Sequence, residues 1–155
     1  MKNKFLISFL IIGILFTAGL GYFSLTGNSV KELQDEITIY KSQNCGCCSL
    51  YTNYMKSKAE TVKVVNLPDL FSLKRQYDIP SFLESCHTTI VEDYFVEGHI
   101  PFEAIKKLIS EKPDIKGIAM PGMPQGSPGM PGAKNDDFVI YAVKKDGSQE
   151  VFMTI

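Results

Sequence analysis

Three of the four cysteines, Cys45, Cys47 and Cys48, fall within four consecutive positions. Disulfide-framed miniproteins do not space their bridges this way, and one of the three pairings that four cysteines allow would close a strained ring between the neighbours Cys47 and Cys48. Cys45 and Cys48 have C-x-x-C spacing, with Cys47 as an additional thiol. If this run opens a helix, the unpaired N–H groups and the helix dipole favour thiolate, which is both the nucleophile of disulfide exchange and a soft-metal ligand. Redox chemistry and metal binding are both open to such a turn, and spacing alone does not choose between them. The remaining reading, three inert buried cysteines, conflicts with positions too close together to face one core.

The fourth cysteine, Cys86, lies between Ser85 and His87-Thr88. A lone cysteine is more often a small buried hydrophobe, but a fold that carries the Cys86 loop to the cysteine turn makes it a fourth ligand. Soft thiolates select Cu(I), zinc or iron–sulfur clusters. Structural zinc sites usually pair two short knuckles, whereas here the thiols divide three and one. Met120, Met123 and Met130 sit in Gly- and Pro-rich sequence where a packed core is not expected. Their thioethers suit Cu(I) better than zinc, although Met also fills gaps in cores. His87 and His99, the only histidines, are candidate ligands or structural residues. The expected metal set is Cys45, Cys47, Cys48 and Cys86 with Met123, Met130, His87 and His99; Cys45 and Cys48 are the catalytic pair if the site is redox-active. Asp136, Asp137 and Lys106-Lys107 read as solvated.

The elements that must position these groups follow from periodicity. Ile37 to Tyr40 alternates like a strand and leads into the cysteine turn; Ser49 to Ala59 reads as a helix, with Leu50, Tyr51, Tyr54 and Met55 at helical spacing. Thr61 to Asn66 is β-branched and strand-like. Pro68 to Tyr77 reads as a second helix, with Leu70, Leu73 and Tyr77 on one stripe and Pro80 beyond. Thr88 to Val91 and Tyr94 to Val96 form a hairpin turning at Glu92-Asp93, and Pro101 to Lys112 a third helix stopped by Pro113. This β-α-β-α-β-β-α order is that of a thioredoxin-like α/β domain. Gly117 to Asp137 is expected to be a Met/Pro/Gly loop. Gly126, Gly129 and Gly132 keep a three-residue period there, but the run is too short for a collagen helix. A C-terminal β-hairpin, Phe138 to Val143 and Glu150 to Thr154, turns at Asp146-Gly147.

Ahead of the domain, Phe5 to Leu25 contains no charged residue. At about 1.5 Å per residue this stretch is about 30 Å long as a helix, the thickness of a hydrocarbon core. Lys2 and Lys4 before it favour a cytoplasmic N-terminus and an exported remainder. The expected organisation is a transmembrane signal anchor over 1–25, a polar tether over 26–36 and the metal-binding domain over 37–155. A cleaved signal peptide is the rival; no A-x-A site is present, and Gly19-Leu20-Gly21 is the weak candidate. By either route the cysteines face the outside. The chain has 155 residues, room for one domain with appendages. Its net charge of −1 and lack of a basic run exclude an electrostatic nucleic-acid binder.

Four motifs occur in order: Cys45-Gly46-Cys47-Cys48, Ser85-Cys86-His87-Thr88, Tyr94-Phe95-Val96-Glu97-Gly98-His99-Ile100-Pro101, and the Met-containing run Gly117 to Met130. Together they resemble the CopG-like family, long catalogued as a domain of unknown function, from about Ile37 to the C-terminus. The resemblance implies a thioredoxin-like fold, an extracytoplasmic location and copper binding linked to copper or heavy-metal resistance. It also implies that Cys45, Cys47, Cys48 and Cys86 are copper ligands, as in a multinuclear Cu(I)–thiolate cluster. Glu92-Asp93 stands where the family's hairpin carries Asp-Gly, and Pro131 stands where an acidic residue usually follows the last Met. No Pro immediately precedes Thr88, which argues against docking of a disulfide substrate.

The expected function is therefore Cu(I) binding outside the membrane, for sequestration or for transfer to another copper-handling protein. The alternative is a thiol–disulfide or copper oxidoreductase with Cys45 as nucleophile and Cys48 as resolving thiol. A structural zinc site ranks third.

Overall fold

A computed structural model describes residues 36–155. The expected anchor, and the tether apart from Glu36, lie outside the described residues. No helix among the described residues is long and apolar enough to cross a membrane.

Strand β1 (Ile37–Lys41) alternates as its sequence requires, with Ile37, Ile39 and Lys41 buried and Thr38 and Tyr40 half-buried. It runs into helix α1 (Gly46–Lys56), which buries Cys48, Tyr51, Thr52 and Met55. Strand β2 (Val62–Asn66) follows, then helix α2 (Phe71–Gln76) and a single 3₁₀ turn, Ser81–Leu83. The hairpin of β3 (His87–Val91) and β4 (Tyr94–Glu97) turns through Glu92, whose φ of 49° is left-handed. Helix α3 (Phe102–Glu111) buries Phe102, Ala104, Ile105, Leu108 and Ile109 and ends at a left-handed Lys112. The order expected from periodicity is thus present through α3.

The expected loop from Gly117 to Asp137 is wrong at its start. Ile115–Ala119 is strand β5, parallel to β4 and antiparallel to β6 (Val139–Lys144). Gly117 reads as a breaker, but in the sheet it is a close-approach position: a Cβ there would collide with the carbonyl and ring of Phe95. Through β5 the C-terminal hairpin of β6 and β7 (Gln149–Thr154) joins one seven-stranded mixed sheet, ordered β2-β1-β3-β4-β5-β6-β7. Its turn uses Gly147 at φ 86° and an Asp146 carboxylate that accepts from the Ser148 N–H at 2.8 Å.

The main core joins Ile37, Ile39, Val91, Val96 and Ile118 of the sheet to Tyr51 and Met55 of α1 and the apolar stripe of α3. Met120 belongs to it, only 1% exposed. That methionine fills a core, as Met commonly does.

Candidate metal centre

Helix α1 begins at Gly46, so Cys47 and Cys48 occupy its first turn rather than the turn before it. Cys45 is the N-cap, and its Sγ accepts from the Cys48 N–H at 3.3 Å. The local geometry leaves Cys45 and Cys47 half-buried and turns Cys48 fully inward. Cys45 and Cys48 form a disulfide with their Cα atoms 5.3 Å apart; Cys47 and Cys86 are free thiols.

Cys86 arrives from the other side of the sequence. β3 pairs antiparallel with β1, setting His87 opposite Lys41, and this register brings the residue before β3 to the mouth of α1. The Cys86 Sγ lies 3.8 Å from that of Cys47, which is 3.5 Å from that of Cys45. Cys48 Sγ is 3.5 Å from the Cys86 carbonyl oxygen. All four sulfurs lie within 4.8 Å of one another. A tetrahedral ion bonded at about 2.3 Å to sulfur, the zinc value, separates its ligands by about 3.8 Å. The donor set fits a soft metal once the Cys45–Cys48 pair is reduced.

A second group, Cys86, His87 and His99, also has its donor atoms within 4.8 Å, so Cys86 belongs to both. His99 Nδ1 is 2.7 Å from the Pro128 carbonyl. A carbonyl only accepts, so Nδ1 carries the proton and the Nε2 lone pair faces Cys86 Sγ at 3.3 Å. This is the arrangement of a metal-ligating histidine oriented by a backbone carbonyl. Burial lowers the pKa of His99, partly offset by the Pro128 carbonyl. His87 is fully buried: burial, then the neighbouring His99 and Lys74, push its pKa down to about 3, so the ring is neutral. Its Nδ1 is 3.4 Å from Cys86 Sγ, and its Nε2 has no hydrogen-bond partner among the described residues. Burial, and then Cys47 beside it, push the Cys86 thiol up to about 12.

Tyr51 packs against both imidazoles, with ring centroids 4.4 Å from His87 and 5.5 Å from His99, and its hydroxyl donates to the Ile100 carbonyl. The methionine loop lies against the same helix. Gly129, at φ 81°, is so close that a Cβ would come within 2.5 Å of the Tyr51 nitrogen and 3.1 Å of the Cys47 carbonyl. Met130 follows it, half-buried, whereas Met123 is 40% exposed and adopts a left-handed φ of 46°.

Sequence reasoning missed Lys74 and Glu97, a fully buried ion pair behind the Cys86 segment. Burial raises the pKa of Glu97 while Lys74, Thr88 and Ser85 lower it. The signal for Lys74 was present: it falls between Leu70 and Tyr77 on the apolar stripe of the second helix, where a charge needs a buried partner.

Comparison with known proteins bears on this arrangement. The family described as a protein of unknown function, DUF411, matches residues 83–130. A solved structure titled copper resistance protein CopG, form 2, is 33% identical and superposes with a TM-score of 0.72, covering 78% of this chain and 98% of that one. The chain belongs to the CopG-like family. A form 1 structure of the same title gives 33% identity and a TM-score of 0.68, covering 77% of this chain and 96% of that one. No match is found among curated proteins. The family's matched segment contains Cys86, His87, Glu97, His99 and the methionine loop, but not the Cys45 to Cys48 run.

Proposed function

We propose that this chain is a membrane-anchored copper(I)-binding protein of metal homeostasis or resistance, with its thioredoxin-like domain outside the membrane. The observation that carries this reading is the convergence of four cysteine sulfurs within 4.8 Å, one of them 38 residues distant from its nearest partner in sequence. Thiolates and a neutral imidazole are soft to intermediate donors, the set that Cu(I) prefers. Structural relatives titled copper resistance proteins favour copper over zinc. Support for the thioredoxin-like reading comes from the β-α-β-α-β-β-α order and from the C-x-x-C pair at the start of the first helix. Support for export and anchoring comes from the uncharged stretch Phe5 to Leu25 behind Lys2 and Lys4.

In this reading the Cys45–Cys48 disulfide is first reduced by an external dithiol, which gives up two electrons and becomes a disulfide itself. The four thiols then lose their protons to solvent as the ion binds. His99, its tautomer fixed by Pro128, offers Nε2 beside Cys86, and His87 offers Nδ1 to the same sulfur. Met130 and Met123 supply thioethers from the loop laid over α1.

The disulfide itself favours a second reading, a thiol–disulfide or copper oxidoreductase. Cys45 is half-exposed and Cys48 buried, the usual distribution for an attacking and a resolving thiol. The discriminating experiment uses the full-length chain in detergent, reduced anaerobically and titrated with Cu(I) against a chromophoric chelator. Stoichiometric copper, lost in Cys45→Ser, supports the first reading. A protein that stays metal-free yet exchanges disulfides with a peptide substrate supports the second, and bound zinc that Cu(I) does not displace overturns both.

A further inference from the structure

Lys74 of α2 and Glu97 of β4 form an ion pair whose side chains are 5% and 0% exposed. A buried pair recovers its desolvation cost only when further hydrogen bonds saturate it, and apolar residues of similar size often serve stability as well. The bonds of this pair converge on one short segment. Glu97 Oε1 accepts from Lys74 and from the Ser85 N–H at 2.5 Å, and Oε2 accepts from the Thr88 hydroxyl at 2.6 Å. Lys74 Nζ also donates to the Ser85 carbonyl at 3.0 Å. Both polar groups of the Ser85 backbone and the side chain of Thr88 are therefore tied to one charge pair, and Cys86 and His87 stand between the ties. Gly98, next to Glu97, completes the clamp at φ 88°, where a Cβ would press on the Met120 carbonyl at 2.7 Å and on Ser85 at 3.2 Å.

We propose that the Lys74–Glu97 pair is a positioning device that holds Cys86 Sγ at coordinating distance from the other three sulfurs and so sets the affinity of the site for Cu(I). This rests on the reading that the four cysteines bind Cu(I). Neither residue touches the metal; both act through the backbone on either side of Cys86. The pair explains why charge is kept in the interior at this point: a carboxylate with several acceptor positions can grip an N–H, a hydroxyl and an ammonium at once, which no apolar side chain does.

The test is a double-mutant cycle on the reduced full-length chain, with Cu(I) affinity read by chelator competition. Lys74→Met/Glu97→Leu is expected to weaken binding about 10- to 100-fold, the usual effect of losing a residue that orients a ligand. In a Cys86→Ser background the same pair of substitutions is expected to change affinity by less than about twofold, the scatter of independent sites. Lys74→Met/Glu97→Gln, which restores an acceptor to Ser85 and Thr88, should recover part of the loss. Unchanged affinity in Lys74→Met/Glu97→Leu, or an equal loss in both backgrounds, overturns the positioning role and leaves the copper reading standing. If Cys86→Ser alone binds Cu(I) like the parent chain, the four-cysteine reading fails first and the proposal with it. Should the double variant not fold, Thr88→Val carries the test: it removes one donor to Glu97 and should cost about threefold in the parent. No loss there, or the same loss without Cys86, overturns the proposal.

Discussion

The two halves of the thiol site are built by different means. Cys45, Cys47 and Cys48 are placed by one helix start: an N-cap and the first turn set three sulfurs over a sequence separation of three. Cys86 owes its position to strand register, to a buried ion pair on two other elements, and to His99, whose tautomer depends on the methionine loop. The first half opens to the surface at Cys45, Gly46 and Cys47, with Cys48 alone fully buried, and a Cβ added to Gly46 would meet nothing within 4 Å. In the second, Cys86 is itself half-buried, but the residues that hold it, His87, Thr88, Glu97 and His99, are all buried. A locally built half tolerates change elsewhere in the molecule, whereas a half built through the interior transmits every distant fault to its ligand.

That contrast can be attacked directly. Lys74→Met alone leaves Glu97 charged, buried and unpaired; a loss of about 3–5 kcal/mol in folding stability is expected by denaturant titration. The matched control Lys63→Met breaks only the exposed contact with Glu36, 3.8 Å long, and should cost less than about 1 kcal/mol. Equal losses would abolish the distinction between interior and surface. Cys86→Ser comes next: it should lower Cu(I) affinity by about 100-fold or more, at or beyond the upper end of what orienting residues cost, with the melting curve little changed.

Gly129→Ala tests the loop that carries Pro128 to His99. Its positive φ and close approach to Tyr51 predict a loss of about 1–3 kcal/mol, measured by the shift of the denaturant midpoint. The smallest effect is expected at Gly46→Ala. The helix start has room for the methyl group, so stability should change by no more than about 0.5 kcal/mol, with Cu(I) stoichiometry unchanged by metal analysis. A large loss of copper there would show that the locally built half is less independent than its geometry indicates.

Much of this arrangement was legible in the chain. The alternation of Ile37 to Tyr40, the apolar stripes of α1 and α3 and the Asp146-Gly147 turn marked elements within a few residues of their bounds, because each is a repeating local pattern. Strand β5 was hidden because Gly117 looks like punctuation until Phe95 is seen packed against it. Helix α1 begins at Gly46, ahead of the apolar periodicity of Ser49 to Ala59, because glycine and cysteine are weak helix formers and carry no helical signal of their own. Lys74 escaped notice because a charged residue on a short helix is ordinarily solvated, and its partner is 23 residues away.

By itself the sequence determined that three thiols would stand together at a helix mouth, since residues within one turn cannot separate, and that a hairpin would follow Cys86. Only the tertiary structure decided that Cys86 meets them, that Cys45 pairs with Cys48, that His99 aims Nε2 at the thiol, and that Lys74 and Glu97 grip the segment between. Apart from the Cys45–Cys48 bond, those contacts join residues far apart along the chain, and their distances are set by sheet register and by the need of buried charges for partners.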